Sequence, residues 1–140
     1  MKNKVNLFLA NPYRSINIIF IGIILLIFLY SAIFSPEKER YPIHSAHEFL
    51  TGTGSLSSGL SRGFSSIVRW KFDEAQNYNP LSLRIFMFFL IQLFLRIFFV
   101  FYSRNSAKST LKYIIIPDCI ISGVLFLVFF EPFWRELFCL

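Results

Sequence analysis

Charge is scarce in this 140-residue chain: charged residues make up 16% of it and hydrophobic residues 55%. Cysteine is scarcer still, and Cys119 and Cys139 stand about 30 Å apart at helical rise, so no intramolecular disulfide is expected. Aromatic and basic residues do not interleave in the way that stacks nucleotide bases, which argues against a nucleic-acid partner. The net charge of +6 instead comes from basic residues that flank apolar runs, as in membrane proteins that face anionic lipid.

Three apolar runs are long enough to cross a bilayer, which needs about 20 residues; they cover residues 15–34, 81–102 and 113–134. The first run is longer than the apolar core of a cleaved signal peptide, which favours a retained anchor. Asn79 and Pro80 predict the start of the second helix, as its N-cap and first-turn residue. Pro132 predicts the end of the third. The chain is therefore predicted to be a single all-α membrane domain over residues 1–140.

The distribution of basic residues predicts the orientation of these spans. Two segments carry basic residues and no acid, namely the amino terminus and the turn between the second and third runs. Their basic residues are Lys2, Lys4, Arg14, Arg104, Lys108 and Lys112. By the positive-inside rule both segments lie in the cytoplasm and residues 35–79 lie outside. We expect a multi-pass protein of the bacterial inner membrane, with Tyr13 as an inner interfacial anchor and Trp70 and Trp134 as outer ones.

The outer segment contains a helical pattern over residues 56–72. Its apolar positions recur at helical spacing, at Leu56, Leu60, Phe64, Ile67, Val68 and Phe72. The opposite stripe is polar and comprises Arg62, Ser66, Arg69 and Asp73. This pattern predicts an amphipathic helix in the outer membrane interface, or alternatively one that packs on the spans.

Four ionisable residues fall inside the second and third runs: Arg84, Arg96, Asp118 and Glu131. Unpaired charges at mid-helix cost about 2.5–3.5 kcal/mol each, so pairing is expected. In an antiparallel hairpin Arg96 and Asp118 share one depth near the inner end, and Arg84 and Glu131 share another near the outer end. The pairs could neutralise each other and fix the register of the helices, the arginines could snorkel to the interface, or the charges could form a proton or ion relay.

The outer segment also contains candidate binding residues. The glycine-rich stretch TGTGSLSSGLSRGF lacks the lysine of a phosphate loop, and a serine nucleophile within it would need His44 or His47 as its base. An anion could bind at the helix amino terminus with help from Arg62. His44, His47 and Glu48 could share a helical face and bind zinc, although histidines in a polar loop are more often solvated. No cofactor is expected.

The stretch from Thr51 to Leu81 resembles the small bacterial membrane family called domain of unknown function 2752. Its members read Thr-Gly-x-x-Cys-Pro-x-Cys-Gly-Leu-Thr-Arg-Ala, followed by Ala-x-x-x-Asn-Pro before a membrane helix. The matching residues are Thr51, Gly52, Gly59, Leu60, Arg62, Ala75, Asn79 and Pro80. The two cysteines of the motif fall on Ser55 and Ser58, and serine cannot supply a thiolate, so thiol or metal chemistry of that kind is not expected here. The resemblance implies an architectural role for Gly59, Arg62, Asn79 and Pro80, and no particular activity.

These observations favour a structural or interaction subunit whose outer segment docks a protein partner or lipid headgroups. Its Phe-rich helices present more apolar surface than three helices can bury, which favours contact with lipid or a homo-oligomer. One alternative is a transport or proton-conducting component that uses Arg96, Asp118 and Glu131. A second is a membrane enzyme of lipid or peptide processing, centred on His44, His47 and residues 55–62.

Overall fold

A computed structural model describes residues 12–35, 56–103 and 111–138. In these residues it is all-helical, without a β-strand, and confirms the predicted fold class. The helices are α1 (Pro12–Ile33), α2 (Leu60–Val68), α3 (Phe72–Tyr78), α4 (Ser82–Tyr102), α5 (Leu111–Phe129) and α6 (Glu131–Phe138). Three stretches are long and apolar enough to cross a membrane, namely Pro12–Ile33, Ser82–Tyr102 and Lys112–Phe129. Among the described residues these three indicate a multi-pass membrane protein.

The chain divides into two compact units, and α1 and α4 contribute residues to both. The first unit comprises Met1–Leu25 and Phe88–Phe129. Within it α4 and α5 run antiparallel, because the ring of Phe88 lies 6.2 Å from that of Phe126 while Arg96 contacts Asp118. Many apolar side chains of this unit are exposed, as expected of helices that face lipid.

The second unit comprises Leu26–Met87 and Phe130–Leu140, and it includes α2 and α3. The prediction of one amphipathic helix over residues 56–72 is wrong, because α2 ends at Val68 and α3 begins at Phe72. The break is a Schellman turn: the Lys71 N–H donates to the Ser66 carbonyl at 3.0 Å, and the Trp70 N–H donates to the Ile67 carbonyl at 2.9 Å. Trp70 holds the left-handed position of this turn, with φ of 62°.

The environment of α2 is that of a packed helix. Ser66, assigned to a solvated stripe, is fully buried, as is its neighbour Ser65. The ring of Phe64 meets that of Phe86 edge to face, with centroids 5.5 Å apart. The Ser65 hydroxyl donates to the Phe34 carbonyl just beyond the end of α1. The second unit therefore supports the alternative in which this helix packs on the ends of the spans.

Two glycines allow α2 to approach the following elements closely. Gly59 has φ of 80°, and a Cβ there would collide with the Tyr78 carbonyl oxygen. At Gly63 a Cβ would lie 2.5 Å from the Ser82 Cβ. Both positions therefore require glycine, one for its conformation as well as for space.

The third predicted run contains two helices. We expected it to end near Trp134, but α5 ends at Phe129 and a separate helix, α6, begins at Glu131. Pro132 accounts for the break, since its ring and its missing N–H disfavour a continuous helix across this position, whereas a proline is tolerated in the first turn of the next helix. Glu131 therefore lies beyond the third candidate span rather than inside it.

Candidate functional site

The first unit contains a buried polar cluster around Arg96. Arg96 Nη1 donates to Asp118 Oδ2 and to Asn17 Oδ1, both at 2.7 Å. Its Nη2 donates to Gln92 Oε1 at 3.3 Å and to the Ser122 hydroxyl. The guanidinium carbon also lies 5.7 Å from the centroid of the Phe20 ring, close enough for a cation–π contact. The two groups predicted to pair by depth thus lie together.

Asp118 is the acceptor at the centre of the cluster and is 2% exposed. Its Oδ2 accepts from the Tyr13 hydroxyl at 2.7 Å as well as from Arg96. Its Oδ1 accepts from the Ser122 hydroxyl at 3.2 Å. A buried ion pair whose remaining sites are hydrogen-bonded costs about 3–5 kcal/mol to break by removal of one partner.

Helical spacing accounts for the assembly of the cluster. Gln92 and Arg96 are four residues apart in α4, and Asp118 and Ser122 are four apart in α5, so each pair shares one helix face. Asn17 lies one turn after Tyr13 in α1, and its amide donates to the Tyr13 carbonyl at 2.9 Å. Each helix therefore presents a two-residue polar patch on an otherwise apolar surface.

This arrangement links three helices through charge-assisted hydrogen bonds. The arginine and the carboxylate neutralise each other, and the neutral groups occupy further donor and acceptor sites around them. Such a network fixes the rotation and the register of the segments that supply it. It also contains a run of exchangeable protons, from the Tyr13 hydroxyl through Asp118 to the Ser122 hydroxyl.

The second predicted pair is also present but is looser and more exposed. Arg84 Nη1 lies 3.5 Å from Glu131 Oε2, and the two side chains are 35% and 43% exposed. Glu131 Oε1 accepts from Arg135 Nε at 2.6 Å, one turn further along α6. This charge chain joins the start of α4 to α6 within the second unit.

A third polar cluster centres on Arg69 and ties the segment between the first two spans to α1. Its Nη2 donates to the Ala32 carbonyl at 2.9 Å and its Nη1 to the Ser31 carbonyl at 3.2 Å. Nη1 also reaches Ser65 Oγ at 2.5 Å. A cation at the last carbonyls of a helix complements the negative end of its dipole. Arg69 thus caps the first candidate span.

Asn79 lies at the junction before α4 and uses all of its side-chain groups. Its amide donates to the carbonyls of Leu56 and Ser58, each at 2.7 Å. Its Oδ1 accepts from the Leu81 N–H at 2.8 Å, which caps the chain as it enters the helix. Pro80 follows, exposed, in the turn before α4.

The remaining predicted site residues fall into two groups. Arg62 is half-buried in α2, beyond the unusual left-handed N-cap at Gly59. The others, His44, His47, Glu48, Thr51, Gly52 and Ser55, lie outside the described residues. Within the ranges 12–35, 56–103 and 111–138, no group of three His, Cys, Asp or Glu residues is placed to hold a metal ion.

Four members of the buried polar cluster around Arg96 were not predicted from the sequence, because only the ionisable residues inside the apolar runs were considered. Tyr13 was interpreted as an interfacial anchor, whereas its hydroxyl binds Asp118. Asn17, Gln92 and Ser122 are neutral polar residues within apolar runs, each four residues from another member of the cluster. That spacing was the available signal.

Comparisons with protein-family models, curated proteins and solved structures found no match to the chain.

Proposed function

We propose that the protein is a small structural or interaction subunit of the bacterial inner membrane, which docks a protein partner or lipid headgroups through residues 35–79. The basic flanks of the spans support a cytoplasmic amino terminus and an outer location for this segment. Membrane lipids, a partner protein and a second copy of the chain are its candidate contacts.

The observation that carries this proposal is the presentation of Trp70. It is 82% exposed, and its ring packs edge to face on Phe72 with centroids 5.9 Å apart. It holds the left-handed position of a helix-ending turn, where glycine is usual and other residues cost about 1–2 kcal/mol. A large aromatic side chain held at that cost, on a segment anchored by Arg69 and Asn79, is suited to recognition.

The charge cluster supports a structural role for the spans. Each oxygen of Asp118 has a hydrogen-bond donor, and both terminal nitrogens of Arg96 have acceptors. The cluster therefore resembles an internal brace. We therefore assign docking to the exposed surface of the segment between the first two candidate spans, and not to the spans themselves.

The resemblance to domain of unknown function 2752 remains part of the proposal. It gains support from the roles of two motif positions. Gly59 lies against the Tyr78 carbonyl, and Asn79 binds two carbonyls of the turn that precedes α2. These contacts explain why a motif would contain a glycine and an Asn-Pro pair at this separation. The role proposed for Arg62 is an interfacial charge beside them.

Purification in a mild detergent, followed by mass spectrometry of co-purifying proteins and lipids, tests the proposal. We expect a stoichiometric protein or lipid with the wild type, and its loss from Trp70→Ala. The matched control is Phe94→Ala, which removes an exposed aromatic ring from α4 in the first unit and should leave the complex intact.

Each result has a defined meaning. A wild-type chain that elutes without partner or bound lipid contradicts docking. Equal loss from both variants contradicts a specific role for Trp70. Loss of a protein from Trp70→Ala alone identifies a protein surface, and loss of lipid alone identifies a headgroup surface.

A transport or proton-conducting component is the second candidate, favoured by the run of exchangeable protons from Tyr13 through Asp118 to Ser122. Glu131, which lies beyond the third candidate span, is the weaker part of this candidate. Asp118→Asn in proteoliposomes should abolish proton flux if it is correct, whereas Glu131→Gln should retain it. The enzyme alternative rests on His44 and His47, which lie outside the described residues.

A further inference from the structure

The helix α6 is amphipathic and follows the third candidate span almost directly. At roughly 100° per residue its apolar side chains fall within an arc of roughly 140°; they are Phe133, Trp134, Leu137 and Phe138. Its charged side chains, Glu131, Arg135 and Glu136, fall on the rest of the circumference. The pattern is clean over both turns of the helix.

The apolar face of α6 is exposed in its last turn, whereas Phe133 and Trp134 are half-buried. Leu137 is 61% exposed and Phe138 is 77% exposed. Trp134, which is half-buried, stacks on the exposed Phe138 with ring centroids 6.0 Å apart, so that the two rings form one surface. An exposed apolar stripe of this kind marks an interaction site.

The charged face of α6 carries two ion pairs. Glu131 binds Arg135 one turn later and also contacts Arg84 at the start of α4. Glu131 lies in the first turn and Arg135 in the last, each at the helix end whose dipole its charge complements. These partly exposed ion pairs lie on the charged face of α6, apart from the exposed Leu137 and Phe138.

We infer that the occupant of this face is the lipid interface, so that α6 lies in the plane of the membrane with Trp134, Leu137 and Phe138 inserted at the boundary of headgroups and acyl chains. Continuity supplies the argument: α5 ends at Phe129 and α6 begins two residues later, so α6 starts just beyond the third candidate span. Interfacial helices bury their apolar face about 5–10 Å below the headgroups. The inference is independent of Trp70 and of the docking proposal.

Charge specifies the kind of lipid surface. The two acids and one arginine of α6 give it a formal charge of −1, so anionic headgroups offer it no attraction. Binding therefore depends on apolar burial and the amphipathic tryptophan ring, and zwitterionic lipid suffices.

The chain contains two tryptophans, which permits a direct test in the full-length protein. Trp70→Phe leaves Trp134 as the fluorescent reporter, in phosphatidylcholine vesicles that carry brominated acyl chains. Bromine near the headgroup end should quench Trp134 at least about twofold more than bromine near the methyl end, as expected for interfacial depth. Iodide in the aqueous phase should quench it weakly, and added phosphatidylglycerol should change neither result.

A second variant tests the face itself. In the Trp70→Phe background, Leu137→Glu with Phe138→Glu should lower quenching by shallow bromine at least about twofold and raise quenching by iodide. The matched control is Glu136→Gln, on the charged face, which should change neither signal. Equal effects of the two changes would contradict a role for the apolar face.

Three results with the single-tryptophan protein would overturn the inference. Strong quenching by iodide without quenching by bromolipid places α6 in water. Protection from both quenchers means that protein covers the face. Strongest quenching by the deep bromine means that residues 131–138 continue into the bilayer.

Discussion

Arg96 distributes its hydrogen bonds over the three described helices that contribute to the first unit, so its removal affects more than one interface. It binds Asn17 of α1, Gln92 of its own helix, and Asp118 and Ser122 of α5. A substitution there leaves a buried carboxylate without its counter-ion. The cost of that change exceeds that of an exposed ion pair such as Lys71 with Glu74.

Exchange of the two charges tests this pairing. Arg96→Asp should lower accumulation of the protein in the membrane, because two buried carboxylates then face each other at a cost of about 3–5 kcal/mol. Addition of Asp118→Arg should restore accumulation in part, since the charges again match while Asn17 and Tyr13 keep geometry built for the original order. Immunoblotting of membrane fractions measures both. No recovery in the double variant would contradict direct pairing.

We expect Trp70 to lower the stability of the protein while it contributes to docking. Trp70→Gly should raise the unfolding free energy by about 1–2 kcal/mol, because glycine adopts φ of 62° without a steric penalty. The same change should weaken docking. Lys71→Gly is the matched control, since φ of −98° suits any residue and no gain is expected. Thermal unfolding in detergent measures both variants, and a loss of stability in Trp70→Gly would contradict the strain.

At the level of helices, the contact of α2 with the start of α4 depends on the absence of a side chain. Gly63→Ala places a Cβ 2.5 Å from the Ser82 Cβ and should destabilise the second unit by about 1–3 kcal/mol. Gly22→Ala, where nothing lies within 4 Å, should be neutral or stabilising. Protease resistance of the segment between the spans reports the difference.

A compensating change separates a steric clash from other effects at this contact. Ser82→Gly in the Gly63→Ala background removes the opposing Cβ and should restore protease resistance. If the single Gly63→Ala variant is as resistant as the wild type, the close approach of α2 to Ser82 is refuted.

Helix ends show where sequence reasoning succeeds and where it stops. Asn79 caps the entry to α4 through its Oδ1, as its position before a proline predicts. No residue in the sequence marks the end of α2 in this way. The left-handed position of the turn, where a glycine would have predicted the helix end, is occupied by Trp70. The apolar periodicity continues from α2 to Phe72, the first residue of α3, and it therefore predicted one continuous helix. Pro132 correctly indicated the end of the third run, but the separate helix α6 that contains it was not predicted.

The charge cluster shows the same limit. Length and hydropathy were sufficient to find three spans, and depth was sufficient to pair Arg96 with Asp118. Neutral polar residues such as Gln92 and Asn17 were not predicted to join the cluster, because a neutral amide in an apolar run costs much less free energy than an unpaired charge and so gives no comparable reason to expect a partner. Their roles depend on helix rotation, which packing between helices decides.

For the whole molecule, the orientation in the membrane is the main prediction. Alkaline phosphatase, which is active only outside the cytoplasm, should be active when fused after Tyr78 and inactive when fused after Tyr102. By the positive-inside rule, the amino-terminal lysines and the basic residues between α4 and α5 are expected on the cytoplasmic side. A cytoplasmic reporter fused at the same sites should give the reverse pattern, and activity of alkaline phosphatase after Tyr102 would contradict this topology.

The hydrogen bond between Arg96 and Asp118 has a consequence for biogenesis. Spans leave the ribosome in chain order, so Arg96 reaches the membrane before Asp118 has been delivered to neutralise it. An unpaired arginine inside a span opposes insertion, by about 2.5–3.5 kcal/mol at mid-helix, and Asn17 of the preceding span is its first available acceptor. We expect the second candidate span to complete its insertion together with the third, so that the ion pair of Arg96 with Asp118 couples the membrane entry of the two helices.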